Sequence, residues 1–236
     1  MNELVHSAEK PKRLQVNSAK STASVKPENP TGRTNDPART MAGILEVATV
    51  EFGEKGLSGA RIDEIAAATK TSKRMIYYYF GSKEGLYIAV LEAAYQRVRN
   101  TESKLQLDAL PPEAALRELV GFTFDHHHGN PDYIRLVMTE NIQRGAFLAQ
   151  SKIIRKMNLP AISAVRTLYE RGVATGVFRA GIEPVEIHAM ISALSFFNVA
   201  NRHTFTQIFK YDFHAPKVLK ARREMIIDAV VRFVKK

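Results

Sequence analysis

The chain has 236 residues, 45% of them apolar and 25% charged, with a formal net charge of +10. Such a chain can bury a good core as one large domain or two modest ones, and its positive balance suits a polyanion partner as well as simple solubility. With no Cys it has no disulfide or thiolate chemistry, and neither a membrane-length apolar run nor a signal-peptide core is present, so a soluble, cytoplasmic protein without a membrane partner is expected.

Residues 1–36 are rich in Lys, Ser, Thr, Asn and Pro and hold almost no large apolar side chains. They are expected to be a disordered tail, because they cannot bury enough surface to offset chain entropy. Two roles stay open for it: a solubilising tail, or a basic arm whose Lys26 and Arg33 reach a DNA groove. Asp36 then caps a first helix that has Pro37 at its first position. Met41, Ile44, Leu45, Ala48 and Phe52 form its apolar face, and Gly53 and Gly56 are expected to end it. Arg39 and Thr40, at its start, suit either phosphate or plain solvent.

A second helix is predicted from Ala60–Arg61 to about Thr69, with Ile62, Ile65 and Ala66 inward. Lys70 and Thr71 make a turn, and Thr71 or Ser72 caps a third helix ending at Phe80. That helix is too short to stand alone and must be pinned by Ile76 and Phe80. Gly81 breaks the chain, and Ser82 caps a fourth helix to about Arg99. Further helices follow: Pro112 to the His126–His128 run, Asp132 to about Gln143, Ile153 to Thr175 with a kink at Pro160, Glu183 to about Phe209, and a last one from Pro216 to near Val234. No period-two pattern persists, so the fold class is all-α.

The stretch Ser58–Glu84 organises the rest. Two short helices across a tight turn form a helix-turn-helix, whose second helix fits the major groove of DNA. From Lys70 to Lys83 there is no acidic residue. Lys73, Arg74, Met75, Tyr77, Tyr78 and Tyr79 lie on the second helix, with Thr71 and Ser72 at its start. Lys83 opposes the dipole of the fourth helix, which makes sense if a phosphate sits there, and Arg61 suggests a second phosphate clamp. Of Tyr77 and Tyr79, one hydroxyl is expected on phosphate and one ring partly in the core, with Tyr78 facing the groove wall or solvent.

This region resembles the TetR family of bacterial transcriptional regulators. The resemblance rests on Ile44-Leu45-Glu46-Val47-Ala48 with Phe52-Gly53 and Gly56, on Ile62-Asp63-Glu64-Ile65-Ala66, on Ser72-Lys73 and Ile76-Tyr77-Tyr78-Tyr79-Phe80, and on Ser82-Lys83-Glu84. It implies a three-helix DNA-binding head over residues 37–82 and a larger helical ligand-binding and dimerising body over residues 83–236. The implied partners are double-stranded DNA, a small organic ligand and a second copy joined through the last two long helices; no cofactor is implied. Three departures stand out: Thr69-Lys70-Thr71 where the family usually has Ala-Gly-Val, Ala60 where Thr usually opens the second helix, and the long tail. If Lys70 needs a positive φ, the missing Gly costs some strain.

In the body, polar groups on otherwise apolar helices are the ligand candidates: His127, Glu140, Asn141, Arg144, Asn198 and Asn201, with Phe124, Tyr133, Val137 and Phe197 as apolar lining. Consecutive His126, His127 and His128 fan about 100° apart on a helix and cannot chelate one ion from it, so no metal is expected there. No spaced Ser/His/Asp set or phosphate-cradling Gly loop points to an enzyme. An architectural or cell-cycle DNA-binding protein with a filled, ligand-free body is the alternative reading.

Overall fold

A computed structural model describes residues 36–236. Apart from Asp36, the expected tail with Lys26 and Arg33 lies outside the described residues. Ten α-helices follow in order: α1 (Pro37–Gly59), α2 (Ile62–Ala68), α3 (Lys73–Phe80), α4 (Lys83–Glu102), α5 (Pro112–Gly129), α6 (Pro131–Ile142), α7 (Lys152–Ala174), α8 (Pro184–Ala200), α9 (Arg202–Phe209) and α10 (Pro216–Val234). Among the described residues the only β pairing is an isolated antiparallel bridge, Phe178 with Lys235, so the fold is all-α.

The helix starts follow local chemistry. Asp36 Oδ1 accepts hydrogen bonds from the amides of Ala38 (3.0 Å) and Arg39 (3.3 Å), and Pro37 needs no partner at the first position. Ser72 Oγ caps α3 through the Met75 amide (3.2 Å), and Ser82 Oγ caps α4 through the Gly85 amide (3.0 Å). The second helix has no side-chain cap of its own. Instead Glu51, on α1, accepts the Arg61 amide at 3.0 Å, so a carboxylate from another helix serves the start that Ala60 cannot.

Two expected boundaries shift, at Gly53 and at Asn201. Gly53 does not end α1; it is buried within the helix and packs on α6, where an added Cβ would stand 3.2 Å from Asp132 Cβ. The break comes at Gly56, whose φ of 65° lies in the left-handed region. The seventh helix runs through Pro160 as one element, as expected. The helix expected to reach Phe209 is two, α8 and α9, parted at Asn201.

Two apolar cores result. The head core gathers Ile44, Ala48, Phe52, Ile62, Ile65, Ile76, Leu86, Tyr87, Val90 and Leu91 from α1–α4. Leu136 of α6 and Ile154 of α7 complete it. The body core joins α5, α7, α8 and α10 through Leu116, Phe124, Val165, Leu168, Ile187, Ile191, Ile227 and Val230. The fourth helix serves both regions. Its first half packs in the head core, and Val98, Arg99 and Glu102 near its end wall a cavity in the body.

Candidate functional site

The outward face of α3 is set by one inward residue. Ile76 is 0% exposed and pins the helix to the head core, a contact worth about 2–3 kcal/mol. Helical spacing then turns Arg74, Tyr77 and Tyr78 outward, with Tyr77 44% and Tyr78 78% exposed. Met75 is exposed too. Tyr79 is half-buried against the head core. Thus the ring expected partly in the core is that of Tyr79, and Tyr77 and Tyr78 carry hydroxyls on the surface. Arg74 is exposed and has no acidic partner among the described residues.

The turn between α2 and α3 closes as a Schellman motif. The Lys70 amide donates to the Ala67 carbonyl (3.2 Å) and the Thr71 amide to the Ala66 carbonyl (3.0 Å). Lys70 sits at the position that needs a left-handed backbone, with φ 54°. The strain foreseen for a non-Gly residue there is therefore present.

Several candidate cations are already engaged. Lys73 Nζ lies 2.7 Å from Asp63 Oδ1, and Arg61 Nη2 lies 3.9 Å from Asp63 Oδ2. The Asp63 carboxyl is held below its ordinary range, mainly by its hydrogen bond with Lys73. Lys83 Nζ donates to the Ser58 carbonyl at 3.3 Å and so ties the start of α4 to the end of α1. Thr40 spends its hydroxyl on the Asp36 carbonyl (3.0 Å), and Thr71 directs its own toward Thr69 (3.4 Å). Arg39 is exposed on the first turn of α1.

In the body, α4–α8 enclose a cavity of about 230 Å³. Of the residues singled out from the sequence, His127, Tyr133 and Val137 stand in its wall. The others stand elsewhere, each for a physical reason. Phe124 is fully buried in the body core. Glu140 is buried, and its Oε2 accepts the Leu148 amide at 2.8 Å, which fixes the α6–α7 connection. Asn141 is exposed and returns its Nδ2 to the Val137 carbonyl (2.8 Å). Arg144 occupies the left-handed position, φ 57°, of the turn that ends α6, and is exposed. Phe197 is partly exposed and clusters with Phe205 and Phe213. Asn198 is buried but accepts from Arg222 Nε at 2.6 Å. Asn201 is exposed at the α8–α9 break.

The cavity also holds groups that sequence reasoning missed: Tyr95, Arg99 and Glu102 of α4, Asn158 of α7, and His188 and Phe196 of α8. Arg99 contacts Glu102 as an ion pair. Burial raises the Glu102 carboxyl, against the pull of Arg99. Burial also pushes the His127 imidazole down to about 4, helped by the charges of His126 and Arg99. The imidazoles of His126 and His188 are lowered for the same reason, burial first and Arg99 next. Neutral imidazoles thus face a buried guanidinium. Among the described residues no group of three or more His, Asp or Glu is placed to hold a metal ion.

Two family models match this chain, one toward each end. The family model "Bacterial regulatory proteins, tetR family" matches residues 44–90, which span α1 to the middle of α4. The model "Tetracyclin repressor-like, C-terminal domain" matches residues 112–230, the body from α5 to α10. The HTH-type transcriptional repressor NicS of Pseudomonas putida is 39% identical over 189 residues, covering 80% of this chain and 89% of its own. The HTH-type transcriptional repressor SCO4008 of Streptomyces coelicolor is 33% identical over 141 residues, covering 59% of this chain and 70% of its own. The crystal structure of SCO4942 from Streptomyces coelicolor superposes with a TM-score of 0.63 at 26% identity, covering 83% of this chain and 98% of that one. With the helix-turn-helix at its head and both halves matched, the chain belongs to the TetR family of bacterial regulatory proteins.

Proposed function

We propose that the chain is a homodimeric repressor that binds a near-palindromic operator and is released from it by a small organic ligand, with residues 37–82 as the DNA-binding head and residues 83–236 as the ligand-binding and dimerising body. The observation that carries this reading is α3. A buried Ile76 holds a short helix whose Arg74, Tyr77 and Tyr78 face outward, in a head matched to the family. In this reading Arg74, Met75, Tyr77 and Tyr78 address the major groove. Arg39, Thr40, Arg61, Thr71, Ser72, Lys73, Tyr79 and Lys83 flank it toward the phosphates. Two relatives are named repressors, which supports repression over activation.

The body cavity favours a ligand-responsive regulator over an architectural protein with a filled body, and the family match favours a regulator over an enzyme. The fourth helix offers the mechanical link. Its 20 residues make a rod about 30 Å long, with the head core at one end and the cavity wall at the other. A ligand that fits one setting of α4 better than the other shifts the spacing of two heads by that difference in affinity. The long helices α8 and α10 present partly exposed apolar side chains, Val185, Phe197 and Met225, which supports pairing with a second copy there. No helix of the described residues is long and apolar enough to cross a membrane, and a cytoplasmic site of action suits a DNA partner.

The test is fluorescence anisotropy of the full chain on a duplex from its own upstream region, at low ionic strength, beside a scrambled duplex of equal length. Tight binding to the first, with a steep loss as salt rises, is expected. Equal affinity for both duplexes would end the operator reading.

A further inference from the structure

The body cavity holds a charge that its aromatic wall does not explain. Tyr95, Arg99 and Glu102 recur four and three residues apart on α4, so they share one face, and that face looks into the cavity. The Arg99 and Glu102 side chains are only 16% and 15% exposed. Glu102 Oε2 meets Arg99 at Nη1, while the buried Nε of Arg99 has no hydrogen-bond partner. A guanidinium cannot shed its proton, and its N–H groups away from water are costly when unpaired. The facing wall is made of flat rings. His127 is 7% exposed, and its Nδ1 also lacks a partner. The Tyr133 ring centroid lies 5.9 Å from that of His127, and the Phe196 centroid lies 6.5 Å from it. Arg99 and Glu102 are the only Asp, Glu, Lys or Arg residues in the wall.

We propose that this cavity binds a small planar organic anion, a single-ring carboxylate, with Arg99 taking the carboxylate and the His127, Tyr133 and Phe196 rings enclosing the ring. The proposal rests on the ligand-responsive reading above and names the class of ligand. A carboxylate offers two oxygens in the geometry of the guanidinium fork and satisfies the Nε donor that Glu102 leaves unpaired. A neutral ligand can offer that donor only an uncharged acceptor, about half as strong as a carboxylate. A cationic one meets Arg99 and competes for the same Glu102. The volume, about 230 Å³, falls below the ~300–1,000 Å³ common for ligand pockets and suits a small guest. Burial already moves Glu102 toward its protonated form, so it can yield Arg99 to the incoming anion with uptake of one proton. The other ionisable groups facing the pair are Tyr95 on α4, His126 and His127 on α5, Tyr133 on α6 and His188 on α8.

The test uses the full chain with benzoate, its neutral isostere benzamide, and benzylammonium as probes, each titrated to about 10 mM by calorimetry and thermal shift. Benzoate is expected to bind at least tenfold more tightly than the other two. Arg99→Gln removes that preference. Glu102→Gln, which keeps Arg99 and its surroundings, tightens benzoate several-fold and serves as the deciding variant if Arg99→Gln does not fold. The assignment is overturned if benzamide or benzylammonium matches benzoate, if no probe binds, or if both variants bind benzoate like the parent chain. Binding of the upstream duplex, measured without any probe, reports on the regulator reading separately. A chain that grips DNA but shows no anion preference refutes only the ligand class.

Discussion

Lys73 Nζ lies 2.7 Å from Asp63 Oδ1, so the first cation of the recognition helix is paired to the helix before it. Both side chains are more than half exposed, and such a pair adds little to stability. In the proposed reading its consequence is for binding, since a carboxylate then stands where phosphates approach. Asp63→Asn is expected to leave thermal stability unchanged, to raise affinity for any duplex, and to steepen the salt dependence by up to about one counterion. Anisotropy titrations across a salt series check this. A shallower slope in the variant would show that Lys73 reaches DNA only when Asp63 holds it in place.

Fold and recognition separate cleanly on α3. Arg74→Ala and Tyr78→Ala remove exposed side chains and are expected to change stability by no more than about 0.5 kcal/mol, while each weakens operator binding by roughly 1–3 kcal/mol. Ile76→Ala removes a fully buried side chain and is expected to cost about 2–5 kcal/mol of stability, with DNA binding lost alongside. Thermal denaturation and duplex titration of the three variants together give the check. An Arg74→Ala chain with parental DNA affinity would remove α3 as the reader.

How much of this was legible beforehand follows from how local each feature is. Caps depend on one side chain and the next few amides, so Asp36 and Ser82 could be read directly and make the expected bonds, and of the two candidates Thr71 and Ser72 it is Ser72 that caps α3. The head string was legible because its apolar spacing and turn are both short-range. The cavity was not, because it is made where α4–α8 meet. Arg97 and Arg99 are near neighbours in a polar run that reads as a solvated face, and only packing decides that Arg99 turns inward. Asn198 and Glu140 misled for the converse reason. A buried polar group on an apolar helix needs a partner, and here Arg222 and the Leu148 amide supply it within the protein. The split of α8 from α9 at Asn201 carried no Gly or Pro to announce it.

Lys70 makes the turn before α3 in a backbone conformation that glycine adopts freely and a lysine does not. A left-handed residue with a side chain costs roughly 1–2 kcal/mol, offset in part because glycine loses more entropy on folding. Lys70→Gly is expected to stabilise the chain by about 0.5–1 kcal/mol, which for a protein of this size is a rise of roughly 2 °C in Tm. The same change removes a cation beside the recognition helix, so duplex affinity is expected to fall slightly as Tm rises. Calorimetry with anisotropy on one preparation separates the two. A lower Tm would mean that the Lys70 side chain contributes more than its backbone strain removes.

His127 couples the cavity to pH through stability. Its imidazole titrates near 4 in the folded chain, chiefly because it is buried, against an ordinary value of 6.5 when unfolded. Above pH 6.5 both states hold it neutral, and it adds no pH dependence. As pH falls below 6.5, the unfolded chain takes the proton first and gains on the folded one, so stability drops until the folded imidazole titrates near 4. By about pH 5 this single group accounts for roughly 2 kcal/mol of lost stability. His126 and His188 shift in the same direction, and Glu102, raised by burial, works against them. The clean readout is therefore a difference. His127→Gln should lose about 2 kcal/mol less than the parent chain between pH 7 and about pH 5, measured by urea denaturation at each pH. Parallel pH profiles for the two chains would place the His127 ring in contact with water and remove it from the closed wall of the cavity.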